Sequence, residues 1–134
     1  MLFRVILLAL VCGGASAAQE ADKLAGQELF LRHCWQCHGL DATGTGPMAE
    51  MLAIDTPDLT QLASRNDGVF PTEAVARKID GRTPLLAHGG DMPIFGPFLD
   101  TDQFVALSTL SGQPMMTGLP LANVVVYIES LQKR

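Results

Sequence analysis

Cys34-Trp35-Gln36-Cys37-His38 sets two thiols three residues apart, with an imidazole directly after the second. On one helical turn such thiols lie on the same face. Each can form a thioether to a vinyl group at a porphyrin edge, and the histidine that follows is then the proximal ligand to iron. Other chemistries also use paired cysteines. Zinc needs four ligands; no second C-x-x-C accompanies this one, so His33 and His88 would have to complete the set. A thioredoxin-like redox pair belongs in a βαβ context, which the surrounding pattern lacks. A disulfide between Cys34 and Cys37 would close too small a loop to restrain the unfolded chain much. Covalent attachment of one haem c through Cys34 and Cys37, with iron on His38, is the reading the spacing favours.

Helices are the elements that must position these groups. Gly26, Phe30 and Cys34 recur at i, i+4 and i+8 and so share one helix face. A mid-helix glycine costs about 1 kcal/mol against alanine, so Gly26 implies close approach of another element. Near the other end, Leu121, Val124, Val125, Ile128 and Leu131 form an apolar stripe at helical spacing, with Tyr127 beside it. Pro120 suits its first turn, and Lys133 and Arg134 complement its C-terminal dipole. Between these, residues 48–53 read as a short helix, with Met48 and Met51 filling core. Thr72 to Ile79 reads as a helix stopped by Gly81. Asp100-Thr101-Asp102-Gln103 reads as the cap of a further helix bearing Phe104, Leu107 and Leu110. The remainder is loop rich in glycine and proline, with no convincing strand, so the fold class expected is all-α.

Composition narrows the function classes. With 48% hydrophobic and 17% charged residues the chain has apolar content enough to fold. Nine basic against 14 acidic residues argue against nucleic acid as a partner. Arg4, the apolar run Val5 to Val11 and the small residues Ala15-Ser16-Ala17 describe a secretory signal peptide. The run is too short to span a bilayer, which takes about 20 apolar residues. Residues 1–17 are therefore expected to be removed after Ala17, leaving 18–134 as one periplasmic domain without a membrane span. Cys12 goes with the leader, and the mature chain keeps only Cys34 and Cys37.

Over essentially the whole of residues 18–134 the chain resembles the class I monohaem c-type cytochromes. The likeness rests on Gly26, Phe30, the Cys34–His38 motif, the Gly44-Thr45-Gly46-Pro47 loop, Met92-Pro93 and the Tyr127 helix. It implies a cytochrome c-like fold of about four to five helices wrapped around one haem, with the N- and C-terminal helices crossing at Gly26. It also implies that the Pro47 carbonyl accepts a hydrogen bond from the second ring nitrogen of His38, which would fix the tautomer. Met92, 54 residues after His38, resembles the family's distal methionine, and the proline after it stiffens the loop. His88 is the alternative sixth ligand, and Met115 and Met116 are weaker ones. Arg82 is a candidate for a charge-assisted bond to a haem propionate, with Arg65-Asn66 a second choice. His33 reads as a surface or satisfied histidine. Trp35 either covers the haem edge or is simply exposed.

Histidine and methionine together leave iron no open position, which confines the chemistry to one-electron exchange at the porphyrin edge. The expectation is an electron carrier between redox partner proteins, not an enzyme, working as a monomer or as a subunit of a redox complex. Two alternatives are a haem subunit of a dedicated redox enzyme and a sensor or peroxidase with a labile sixth ligand. The wide stretch from Ser111 to Pro120, with its Met-Met pair, is a possible partner contact.

Overall fold

Residues 19–82 and 92–133 are described in the computed structural model. Asp22 caps α1 (Lys23–His33), its carboxylate accepting from the Leu24 amide at 2.7 Å. A break at Cys34 separates α1 from the single turn of α2 (Trp35–His38). After a long loop with two 3₁₀ turns, Ala49–Met51 and Leu59–Gln61, comes α3 (Thr72–Asp80). Thr72, Ala76 and Ile79 are its buried face, and Gly81 ends it at φ 68°, a left-handed position that favours glycine. A 3₁₀ turn at Gly96–Phe98 leads to the hairpin β1 (Phe104–Leu107) and β2 (Met115–Gly118), and the last element is α4 (Leu119–Ser130).

α1 and α4 form the main packing unit. A Cβ on Gly26 would stand 2.5 Å from the Asn123 carbonyl carbon and 2.9 Å from Tyr127 Cβ, so glycine is what allows the approach. Below the crossing Phe30, fully buried, meets Tyr127 with ring centroids 5.4 Å apart. Asn123 is buried on α4 and accepts from the Asp22 amide at 2.7 Å, tying the start of α1 to the same crossing. Leu121, Val124, Val125 and Ile128 are buried, as the stripe requires, with Pro120 in the first turn.

Two features differ from expectation. The segment bearing Phe104 and Leu107 is a strand, so the fold is mostly helical with a small sheet. Its burial alternates, Val105 and Leu107 inward and Phe104 and Ala106 outward, which is the period of a strand. β1 and β2 pair antiparallel, with Phe104 opposite Gly118 and Leu107 opposite Met115. Gly112, at φ 75°, turns the connection, and Pro114 has no amide with which to continue a helix. Thr101 does not cap a helix; its hydroxyl accepts from the Gln103 amide at 3.1 Å in a local turn. The second difference is at the end of α4. Lys133 lies beyond the helix, its amide donating to the Thr60 carbonyl at 3.0 Å. Gln132 closes this end: its Nε2 donates to Leu59 and Ile128 carbonyls at 2.7 and 2.9 Å, and its Oε1 accepts from the Ala63 amide at 2.8 Å.

Candidate haem-binding site

The break at Cys34 turns the chain so that α2 presents Cys34, Cys37 and His38 to one cavity of about 480 Å³. That volume is in the range of small-molecule and cofactor sites. Its wall is largely aliphatic and aromatic: Phe30 and Ile128 come from the crossing helices, Val75 and Ile79 from α3, and Met92 and Pro93 from the segment that follows residue 91. Lys78 and Asp55 are the charged residues along it among the described residues.

Both cysteines are free thiols, Cys34 buried and Cys37 half-buried. Burial first, and then the neighbouring Cys37, push the Cys34 thiol up to about 12.

His38 is buried, and desolvation lowers its pKa, partly opposed by a hydrogen bond to a backbone carbonyl. That carbonyl belongs to Pro57, not Pro47. His38 Nδ1 lies 3.4 Å from the Pro57 oxygen, and since a carbonyl only accepts, Nδ1 carries the proton and Nε2 keeps the lone pair. The reason lies in how the loop after α2 folds back. Gly44, Gly46 and Met48 amides donate to the His38, Cys37 and Gln36 carbonyls at 2.8, 3.0 and 2.8 Å, which satisfies the C-terminal end of α2. Pro47 is thereby left exposed on the outside. Farther along, the Leu59 amide donates to Ala42 at 2.8 Å and the Thr56 backbone packs on Gly44, bringing residues 56–59 beside His38. The sequence carries a signal for this second segment in Asp58-Leu59-Thr60, where Asp58 accepts from the Thr60 amide at 2.8 Å and starts a 3₁₀ turn.

Arg82 is likewise placed elsewhere. It pairs with Asp80 at 2.6 Å and Asp100 at 2.7 Å, and it does not line the cavity. The fork meets these carboxylates because Gly81 reverses the chain at the end of α3. Lys78, one helical turn earlier, is the cation that lines the cavity among the described residues. Arg65 is exposed and Asn66 donates to the Val69 carbonyl at 2.8 Å; neither lines this cavity. His33 is half-buried beside Phe95 and Phe98, with ring centroids 6.3 and 6.4 Å away. Trp35 packs half-buried against the core. Met115 and Met116 do not line the cavity. Met48 and Met51, expected to fill core, are 39% and 73% exposed because the turn they flank sits on the surface. His88 lies outside the described residues, as does the expected signal peptide.

Two thiols, an imidazole with its Nε2 lone pair free and a thioether on one apolar cavity form a donor set that fits a covalently held haem. That combination is what a haem-binding domain requires. The chain matches the family described as Cytochrome c over residues 24–132 and belongs to it. Members hold haem c covalently, and their domains mainly carry electrons. The chain is also 30% identical over 114 residues to the Cbb3-type cytochrome c oxidase subunit CcoP of Rhodobacter capsulatus, covering 85% of this chain and 31% of that protein. It thus spans about a third of that relative. No solved structure matches.

Proposed function

We propose that this domain is a one-electron carrier whose single haem is bound by thioethers at Cys34 and Cys37 and ligated by His38 and Met92. The observation that supports it is the convergence of all four side chains on one cavity. His38 would supply the proximal nitrogen, with the Pro57 carbonyl orienting the ring and raising its basicity. Met92 would supply a soft sulfur, which favours the reduced iron relative to a second histidine. The bound haem supplies the electron; the chain supplies orientation, exclusion of water and a coordination shell that changes little between oxidation states. Phe30, Ile79 and Ile128 keep the cavity dry. Lys78, not Arg82, is the cation positioned for a propionate.

The relative supports a second reading of the context. A domain similar to part of an oxidase subunit would serve as a relay inside a membrane-bound redox complex, passing electrons to a fixed partner. Met116, 62% exposed, and Phe104, 63% exposed, are on the outward face of the hairpin, where such a partner would meet the domain. No helix among the described residues is long and apolar enough to cross a membrane. In either context we place the domain outside the cytoplasm, exported by residues 1–17 and cleaved after Ala17.

The test is a spectrum of the oxidised protein with a haem stain on denatured protein. Covalent haem and a weak methionine–iron charge-transfer band in the red are expected. The band should vanish in Met92→Ala and persist in His88→Ala. Covalent haem without that band in the wild-type protein would move the sixth ligand to His88 or leave the position open, and absence of covalent haem would end the proposal.

A further inference from the structure

The chain from Met92 to Asp100 contains only the turn Gly96–Phe98 as regular structure, yet it must hold its first residue in the cavity. It is fastened to the end of α3 at several points. The Phe95 amide donates to the Ile79 carbonyl at 3.1 Å. Ile94 packs against Gly81, where an added Cβ would meet it at 3.1–3.3 Å. Gly96 is seated so closely on Asp80 and Arg82 that a Cβ there would stand 2.5 Å from Arg82 Nε and 2.7 Å from the Asp80 carbonyl oxygen. Arg82 spans the junction: Nε and Nη2 donate to Asp80 Oδ1 at 2.8 and 2.6 Å, and Nη1 donates to Asp100 Oδ1 at 2.7 Å. One guanidinium therefore joins the last residue of α3 to the far end of the Met92 segment.

We propose that Arg82 is a positioning residue for the sixth ligand: its fork binds the Met92–Asp100 segment to α3 and so keeps the Met92 sulfur at the iron. This rests on the reading of Met92 as that ligand. Planar, rigid donors suit the task, because a guanidinium can face two carboxylates at fixed angles where an ammonium cannot. Arg82 is 49% and Asp100 61% exposed, so each pair shifts an equilibrium only by a factor of about 1.4 to 5. That factor acts on local opening of the segment and not on unfolding of the whole domain.

The experiment uses the haem-loaded protein and exogenous ligands that enter only when the sulfur leaves. Imidazole affinity is measured for the ferric form and the carbon monoxide association rate for the ferrous form. Arg82→Gln is expected to tighten imidazole binding and speed carbon monoxide association by roughly fivefold, with the red band still present. Asp100→Asn should give a smaller change in the same direction, and Arg82→Lys should fall between wild type and Arg82→Gln. Met92→Ala marks the fully open limit. Ligand binding in Arg82→Gln equal to wild type would overturn the proposal, even with a lowered melting temperature, since a merely structural role moves only the latter. A wild-type spectrum that Met92→Ala leaves unchanged would overturn it through the ligand assignment, a distinct result.

Discussion

Replacing Gly26 by alanine sets two effects of opposite sign against each other. In an exposed helix the change would stabilise the protein by about 1 kcal/mol. Here the new Cβ would stand 2.5 Å from the Asn123 carbonyl carbon and 2.9 Å from Tyr127 Cβ, where ordinary contact needs 3.4 Å or more. The helices would have to part by about 1 Å or shift along each other, an overpacking cost of roughly 1–3 kcal/mol. Separation also weakens the Phe30–Tyr127 pair, about 0.5–1.5 kcal/mol. It lengthens the 2.7 Å bond from the Asp22 amide to Asn123, worth about 0.5–1.5 kcal/mol. Against the gain in propensity the net loss is about 1–5 kcal/mol, centred near 3. For a domain of this size that lowers the melting temperature by roughly 10 °C. Thermal unfolding of the haem-loaded protein, followed by far-ultraviolet circular dichroism, measures it. A melting point equal to or above wild type would show that helix propensity outweighs the crossing and refute the account of α1 on α4.

Two further outcomes follow from the second tie between chain segments. Gln132→Ala removes three hydrogen bonds and leaves the Leu59 carbonyl and Ala63 amide without their partner, so a loss of about 1.5–3 kcal/mol is expected in urea unfolding. Hydrogen exchange at the Ala63 amide should accelerate in the same variant. Asp58→Ala removes the acceptor for the Thr60 amide and hydroxyl, at a cost of about 0.5–1 kcal/mol at neutral pH. Those hydrogen bonds hold the Asp58 carboxyl below its ordinary 3.8. A depressed folded-state pKa means that its stabilisation is complete above 3.8 and fades as pH falls through the folded value. The stability gap between wild type and Asp58→Ala should therefore be constant from pH 7 to pH 5 and close below pH 3.8; a gap that widened on acidification would reverse the assignment.

What the sequence made legible were features that only particular side chains can supply. Gly26 and Phe30 at helical spacing, the apolar stripe of α4 and Gly81 after α3 each leave a trace in residue type, and the structure has helices there. The His38 partner left little trace, because a carbonyl is common to every residue; a loop with two prolines at different distances offers no chemical reason to prefer one. Arg82 was ambiguous for another reason, since a guanidinium fits a carboxylate of Asp as readily as one of a porphyrin. Phe104 and Leu107 satisfy a helical i, i+3 pattern and also sit on a strand that alternates in burial. The contest is settled by the turn at Gly112 and by Met115–Gly118 as pairing partner, several residues away.

The crossing of α1 and α4 also imposes an order of events. Ile128 of α4 lines the same cavity as Cys34 but follows it far along the chain. In the closed domain burial, and then the neighbouring Cys37, push the Cys34 thiol up to about 12. The wall that α4 helps to build therefore disfavours the thiolate of Cys34. The last helix made is thus part of the wall around the first groups of the site, and the cavity is complete only when the two ends of the chain have met.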